Sequence, residues 1–393
     1  MLRKGAGMRS RLLVLVILSS CGALPPTPVA RTNAPRLDLN DVSFLMPLPT
    51  PTRLDSLLSM SSEGALGPLL PKRLYDGLPL LVEGKEKDSL FSELKVVSVR
   101  VDPCFPGSAP PAPPSCIKQV RLVAQPVVVE NGAVTTRDAT VHLFYSLVAV
   151  RFEAVVQRLF ELDAMAGDVT SGALDVNPML RRQGLDGPYG AAVRSLVLEA
   201  CGEGTLTRVA VMSVDAQGAT WQFTAFDVRE GALVDDVIPR LPMLKAQAFQ
   251  EFGSESFRNG SLVPAALGDS LDLLLSEREM RLLDRRSLDK ALTSALRIEH
   301  PERSSPKTVD CASCHVASRA RRNAEAFHQV DTSQHVDRFA LAGFDLSPVD
   351  GAKDDPRALR AFGYFGPQSA FSQRTINESA AVAKTLEALR PRP

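Results

Sequence analysis

The sequence predicts an α+β fold: a mainly antiparallel sheet with helices on one face, followed by a mostly helical C-terminal region. Three observations carry this reading. Segments rich in Val and Thr, bounded by turn residues, recur between positions 94 and 228. Two stretches among them repeat apolar residues at helical spacing, so helices sit between groups of strands. From Leu267 onward leucines alternate with charged residues and the strand signal ends. The chain has 393 residues, 45% of them hydrophobic, with 45 Lys+Arg against 45 Asp+Glu. That is enough to bury a core in one large or two modest domains. A formal charge of zero, without a basic stripe, lacks the phosphate-neutralising surface that nucleic acid needs. The organisation expected is a signal peptide over 1–20, a Pro-rich tether over 21–54, an α+β domain over 55–265 and a helical region over 266–393.

At the N-terminus, Arg3, Lys4, Arg9 and Arg11 precede the apolar run Leu12 to Leu18, the n-region and h-region of a secretory signal. A membrane-spanning helix needs about 20 apolar residues, and this run is far shorter. Leu18-Ser19-Ser20-Cys21 resembles the lipobox of bacterial lipoproteins. The resemblance implies that Cys21 becomes the acylated N-terminus, anchored in a membrane by several acyl chains. Gly22 in place of an Asp then implies the outer membrane, on its periplasmic or cell-surface side. The alternative is an ordinary secretory signal cleaved near Ala23 or Ala30. Loss of residues 1–20 leaves 41 basic residues against 45 acidic ones, a slightly acidic mature chain. Repeated prolines from Pro25 to Pro51 oppose a helix and suit an extended tether.

Leu94 to Val101 reads as a strand, as does Val120 to Val129, interrupted once by Pro126. Between them lies a proline-rich loop with Cys104 at one end and Cys116 at the other, which suggests a disulfide closing it. A pair of metal ligands is the other option, although no His lies in or beside the loop. Thr140 to Ser146 is a third strand. Phe152, Val155, Val156, Leu159 and Phe160 then mark an amphipathic helix, and Tyr189, Val193, Leu196, Val197 and Ala200 a second one ending by Gly202. Thr205 to Met212 and Thr220 to Val228 follow as strands around the hairpin signal Asp215-Ala-Gln-Gly218. Cys201 reads as a buried thiol, and Trp221 and Phe223 as core. His142 alternates with the apolar positions of its strand, reads as a surface or half-buried residue, and is assigned no chemistry.

The chemistry lies in Cys311-Ala-Ser-Cys314-His315, which resembles the haem-attachment motif of c-type cytochromes. The resemblance implies one covalent haem c, with Cys311 and Cys314 added across its vinyl groups and His315 as the proximal iron ligand. Two intervening residues set both sulfurs on one turn, and the next residue supplies the imidazole. Outside this motif the resemblance lapses, because all nine Met residues lie before it, the last being Met280. A sixth ligand is therefore sought among His335, His328 and His300, with His335 ranked first and five-coordinate iron equally open. Residues 316–327 read as helix, which would set His328 roughly 20 Å from His315. Arg319, Arg321 and Arg322 on that helix could pair with haem propionates, or form a solvated face. Phe362 to Gly366 reads as an aromatic turn and residues 372–389 as a last amphipathic helix.

These features imply an exported, lipid-anchored monohaem protein that exchanges electrons with a redox partner protein. No Ser/His/Asp set, phosphate loop or HExxH argues for hydrolysis. A haem enzyme or gas sensor is a variant of the same reading. The rival is a non-catalytic surface lipoprotein acting by protein–protein contact, its CxxCH binding zinc through a fourth ligand or forming a disulfide.

Overall fold

A computed structural model describes residues 37–106, 116–167, 169, 172–236, 244–252, 255–259, 271–306, 308–348 and 361–390. The signal segment and Cys21 lie outside the described residues. Its centre is a ten-stranded sheet built from the strand segments read in the sequence and their neighbours. The strands are β1 (Ser43–Leu45), β2 (Leu94–Pro106), β3 (Cys116–Glu130), β4 (Ala133–Thr136), β5 (Thr140–Ser146), β6 (Leu206–Val214), β7 (Thr220–Arg229), β8 (Ala232–Asp235), β9 (Ala246–Phe252) and β10 (Glu255–Asn259). Their order is β1-β2-β3-β5-β6-β7-β9-β10, with β4 added to β3 and β8 to β7, and every ladder is antiparallel.

The pleat sends alternate residues to opposite faces. One face is apolar: Val99 and Val101 of β2, Val120 and Leu122 of β3, Val141, Leu143 and Tyr145 of β5, and Val209 and Val211 of β6 are all buried. Two helices cover it, α2 (Ala149–Ala166) and α3 (Pro188–Ala200), as the sequence predicts. Phe152 of α2 lies under Lys118 of β3, with the ammonium 5.7 Å from its ring centre. Cys201, just after α3, is buried in this core, and burial pushes its thiol well up.

The opposite face is polar at its centre. Register places Arg100, Arg121, Phe144, Arg208 and Asp227 in one row across β2, β3, β5, β6 and β7, and Ser98, Val123, His142, Ala210 and Ala225 in the next. The C-terminal helices cover this face: α4 (Arg285–Glu299), α5 (Cys311–His328) and α6 (Gln373–Glu387), with α5 on β7 and β9 and α6 on β2. They share one apolar core with the sheet. Among the described residues, no helix is long and apolar enough to cross a membrane.

Three sequence expectations are corrected. The tether does not extend to residue 54, because residues 37–46 belong to the folded body. Leu39, Val42, Phe44 and Leu45 are buried, Ser43–Leu45 pairs with β2, and the Ser43 hydroxyl meets that of Ser379 on α6 at 2.7 Å. The helix read from Val316 begins instead at Cys311, so the motif itself is helical. The aromatic turn is a hairpin of β11 (Phe362–Phe365) and β12 (Gln368–Phe371). Gln125 of β3 clasps it by accepting from the Tyr364 N–H at 2.7 Å and donating to the Tyr364 carbonyl at 3.1 Å. A Cβ at position 363 would fall 2.4 Å from the Gln125 Oε1, so a side chain there would displace the Gln125 amide from its clasp.

Cys104 and Cys116 form a disulfide with their Cα atoms 4.3 Å apart, at the neighbouring ends of β2 and β3. The loop between them, residues 107–115, lies outside the described residues.

Candidate functional site

Why α5 begins where it does follows from its caps. Asp310 is buried and its carboxylate accepts from the Ser313 N–H at 2.9 Å, an N-cap that satisfies one of the helix's orphan donors. Gln247 of β9 accepts from the Ala312 N–H at 3.3 Å, so the sheet itself holds the first turn. Ala312, Ser313 and Val316 are buried beneath it. Residues at i, i+3 and i+4 share one helix face, which sets Cys311, Cys314 and His315 side by side, each half-buried.

The His315 ring lies against the polar face of the sheet. Its centre is 4.9 Å from that of Phe223 on β7 and 6.5 Å from that of His142 on β5, the two imidazole planes crossing at 86°. His142 is 9% exposed, flanked in register by Val123 and Ala210. Ala210 and the neighbouring Ala225 are half-buried, so the side chains that follow His142 in its row are small.

Cys311 and Cys314 are free thiols. Burial pushes Cys311 up to about 12, with Arg208 opposing and Asp310 reinforcing the shift. Burial also raises Cys314, against the pull of Arg374. A helix N-terminus ordinarily lowers a thiol, so desolvation wins here. The thiols sit between two charged groups. Arg208 pairs with Asp236 on the Cys311 side. On the Cys314 side Glu378 of α6 is bonded by Arg100 at 2.6 Å and Arg374 at 2.7 Å, with Arg121 at 3.8 Å, and Asp102 takes the Arg100 Nε at 2.7 Å. Burial alone would raise Glu378, but Arg100, Arg374 and Arg121 outweigh it and hold the carboxyl at about 2. Burial lowers Arg121 to about 10, and neighbouring Arg100 adds to the fall. A cavity of about 520 Å³ opens beside Arg100, Asp102, Arg374 and Glu378, and a second of about 320 Å³ beside Phe144, Arg208, Asp227 and Arg229.

The other candidate residues are dispersed. An unbroken α5 carries His328 thirteen positions beyond His315, about 20 Å along the axis, too far for opposite sides of one iron. His335 contacts Thr293 (3.4 Å) and Asp289 (3.5 Å) of α4 and receives the Asp337 N–H on its Nδ1 at 3.1 Å. His300 packs edge-on against Phe339 at 5.1 Å. None of the three is the histidine beside His315; His142 is. Sequence reasoning missed it because its partner is 173 residues away, although its place among Thr140 and Phe144 on one face of β5 was legible.

The arginines do not form a solvated face. Arg321 is buried and its Nε donates to both oxygens of Glu299 (3.1 and 2.9 Å), with Nη1 on Glu325 at 2.7 Å, so it is committed within the protein. Arg319 is buried over the Phe249 ring at 5.9 Å, which excludes a solvated face. Arg322 is half-buried, its Nε donating to the Ser318 carbonyl at 3.3 Å.

Among the described residues, no three His, Cys, Asp or Glu side chains converge as a metal-ion site. Two thiols beside, and not converging with, an imidazole suit a haem edge and its iron, which lie apart. The donor chemistry and the small side chains of Ala210 and Ala225 beside it therefore fit a haem better than a zinc ion. Compared with protein-family models, curated proteins and solved structures, the chain matches none.

Proposed function

We propose that the chain is an exported, lipid-anchored, monohaem c-type cytochrome-like protein that transfers electrons. The observation that carries the reading is the first turn of α5, where Cys311, Cys314 and His315 share one half-buried face and the imidazole lies on the sheet. Cys311 and Cys314 would hold the haem by two thioethers and His315 would ligate its iron. A bound haem supplies one-electron chemistry between ferrous and ferric iron. The chain's own part is to orient the group and exclude water from it. Phe223 walls the imidazole, and buried Arg100 and Arg374 with half-buried Arg121 leave the ionic cluster with one more positive than negative charge beside Cys314.

Two facts favour this over the rival chemistries. A dithiol redox enzyme needs a thiolate near neutral pH, whereas burial raises both thiols here. A zinc site needs four donors converging on one point, and among the described residues no three His, Cys, Asp or Glu side chains do so. Acylation at Cys21 and sorting to the outer membrane complete the proposal, with a redox protein as partner.

The test is a pyridine haemochrome spectrum with intact mass, on protein made with a periplasmic haem-attachment system and on its Cys311→Ala/Cys314→Ala variant. One covalent haem, lost in the variant, is expected. An unmodified polypeptide under conditions that mature a control cytochrome overturns the reading. Cys21→Ala should abolish acyl incorporation and release the protein from membranes.

A further inference from the structure

We propose that His142 is the second axial ligand of the iron held by His315, an assignment that rests on the haem reading above. The two rings come from different halves of the chain, yet the fold sets their centres 6.5 Å apart. Two imidazoles on opposite sides of one ion, each with a metal–nitrogen distance of about 2 Å, hold their centres about 6–6.5 Å apart. The match is not an accident of loose loops. His142 is fixed in the middle of the sheet, between Val123 and Ala210. His315 is fixed by the Asp310 and Gln247 caps on the turn that bears it.

The surroundings agree with a flat ligand between the rings. Half-buried Ala210 and Ala225 continue the row from His142 to β7 with small side chains, and Phe223, two residues from Ala225, packs on the His315 ring as an apolar wall. The remaining histidines are engaged elsewhere: His335 with Asp289 and Thr293, His300 with Phe339, and His328 at the far end of α5. The iron would thus be bracketed by a strand of the scaffold and a helix of the C-terminal region, joining residues 173 positions apart. Two nitrogen ligands also set a lower potential than a His/Met pair would.

The experiment uses the haem-loaded protein and reads the ferric iron by absorption and electron paramagnetic resonance. Wild type should be low-spin, and rings crossed at 86° should give one strongly anisotropic low-spin signal. His142→Ala and His142→Gln, with haem content kept, should turn high-spin, bind carbon monoxide at least about tenfold faster once reduced, and return to low-spin on adding imidazole. His335→Ala should match wild type. Haem-loaded wild type that is high-spin, or that shows the signal of parallel rings, overturns the assignment while leaving the haem reading intact. So do His142 variants that keep the wild-type spectrum. A wild type without covalent haem overturns both.

Discussion

Along β5, Val141, Leu143 and Tyr145 face one side of the sheet while Thr140, His142 and Phe144 face the other. The first set is sealed under α2 and α3 by side chains that need only exclude water. The second set meets α5 and α6 through imidazoles, guanidiniums and carboxylates, several of them buried. Ion pairs out of water return little net stability even when well made, because desolvation offsets the attraction. Apolar packing on one face therefore supports the fold, and the other face is left to hold charged and ligating groups in fixed places. The same strands serve both because a pleat reverses direction at every residue.

If the polar face is as dry as its burial indicates, the largest effect is kinetic. In haem-free protein at pH 8, Cys311, pushed up to about 12, should be alkylated about a hundred- to a thousandfold more slowly than in urea. Equal rates, followed by mass spectrometry, would show that water reaches the turn freely.

Next in size is Glu378→Gln, which leaves Arg100, Arg374 and Arg121 without their shared carboxylate and should cost about 4 kcal/mol at pH 7 by urea unfolding. The sign of its pH dependence is fixed by the lowered carboxyl. Stability contributed by Glu378 is present above its ordinary 4.5 and is lost as pH falls toward about 2, so the gap between wild type and variant should close across that window. A gap that stays constant would mean that the charge is not what matters.

On the apolar face, Leu143→Ala should cost about 3 kcal/mol through lost burial and the cavity left behind, and that cost should not change between pH 7 and pH 3. A pH-dependent loss would blur the division between the faces. The smallest effect belongs to Asp310→Ala, about 1 kcal/mol for a lost N-cap, read by thermal unfolding. On the haem reading it should also lower the yield of covalent haem, since the turn that presents both thiols frays.

How much of this was legible follows from how local each feature is. The strands β2, β3 and β5, the hairpin of β6 and β7, and the helices α2, α3 and α6 follow from period and turn residues, and the structure places them within a few positions of the expected bounds. Strand β1 was hidden because three residues carry almost no periodic signal and the prolines around them read as tether. Strand β9, Ala246–Phe252, has no β-branched residue and is held between β7 and β10. The motif at 311–315 was plain in the sequence, but the strand it faces was not. The meeting of His142 with His315, like the clasp of Gln125 on the β11–β12 hairpin, is a product of sheet register and helix docking that no local window contains.

One contact at the edge of the fold sets a distance. The Leu37 N–H donates to Glu387 of α6 at 3.0 Å, which fixes the chain to the folded body at that point. On the lipoprotein reading, sixteen residue steps separate Cys21 from Leu37, a span of at most about 55 Å. Leu37 would then lie no farther than that from the lipid anchor, so any partner must meet the folded body within that reach plus the depth of the body itself.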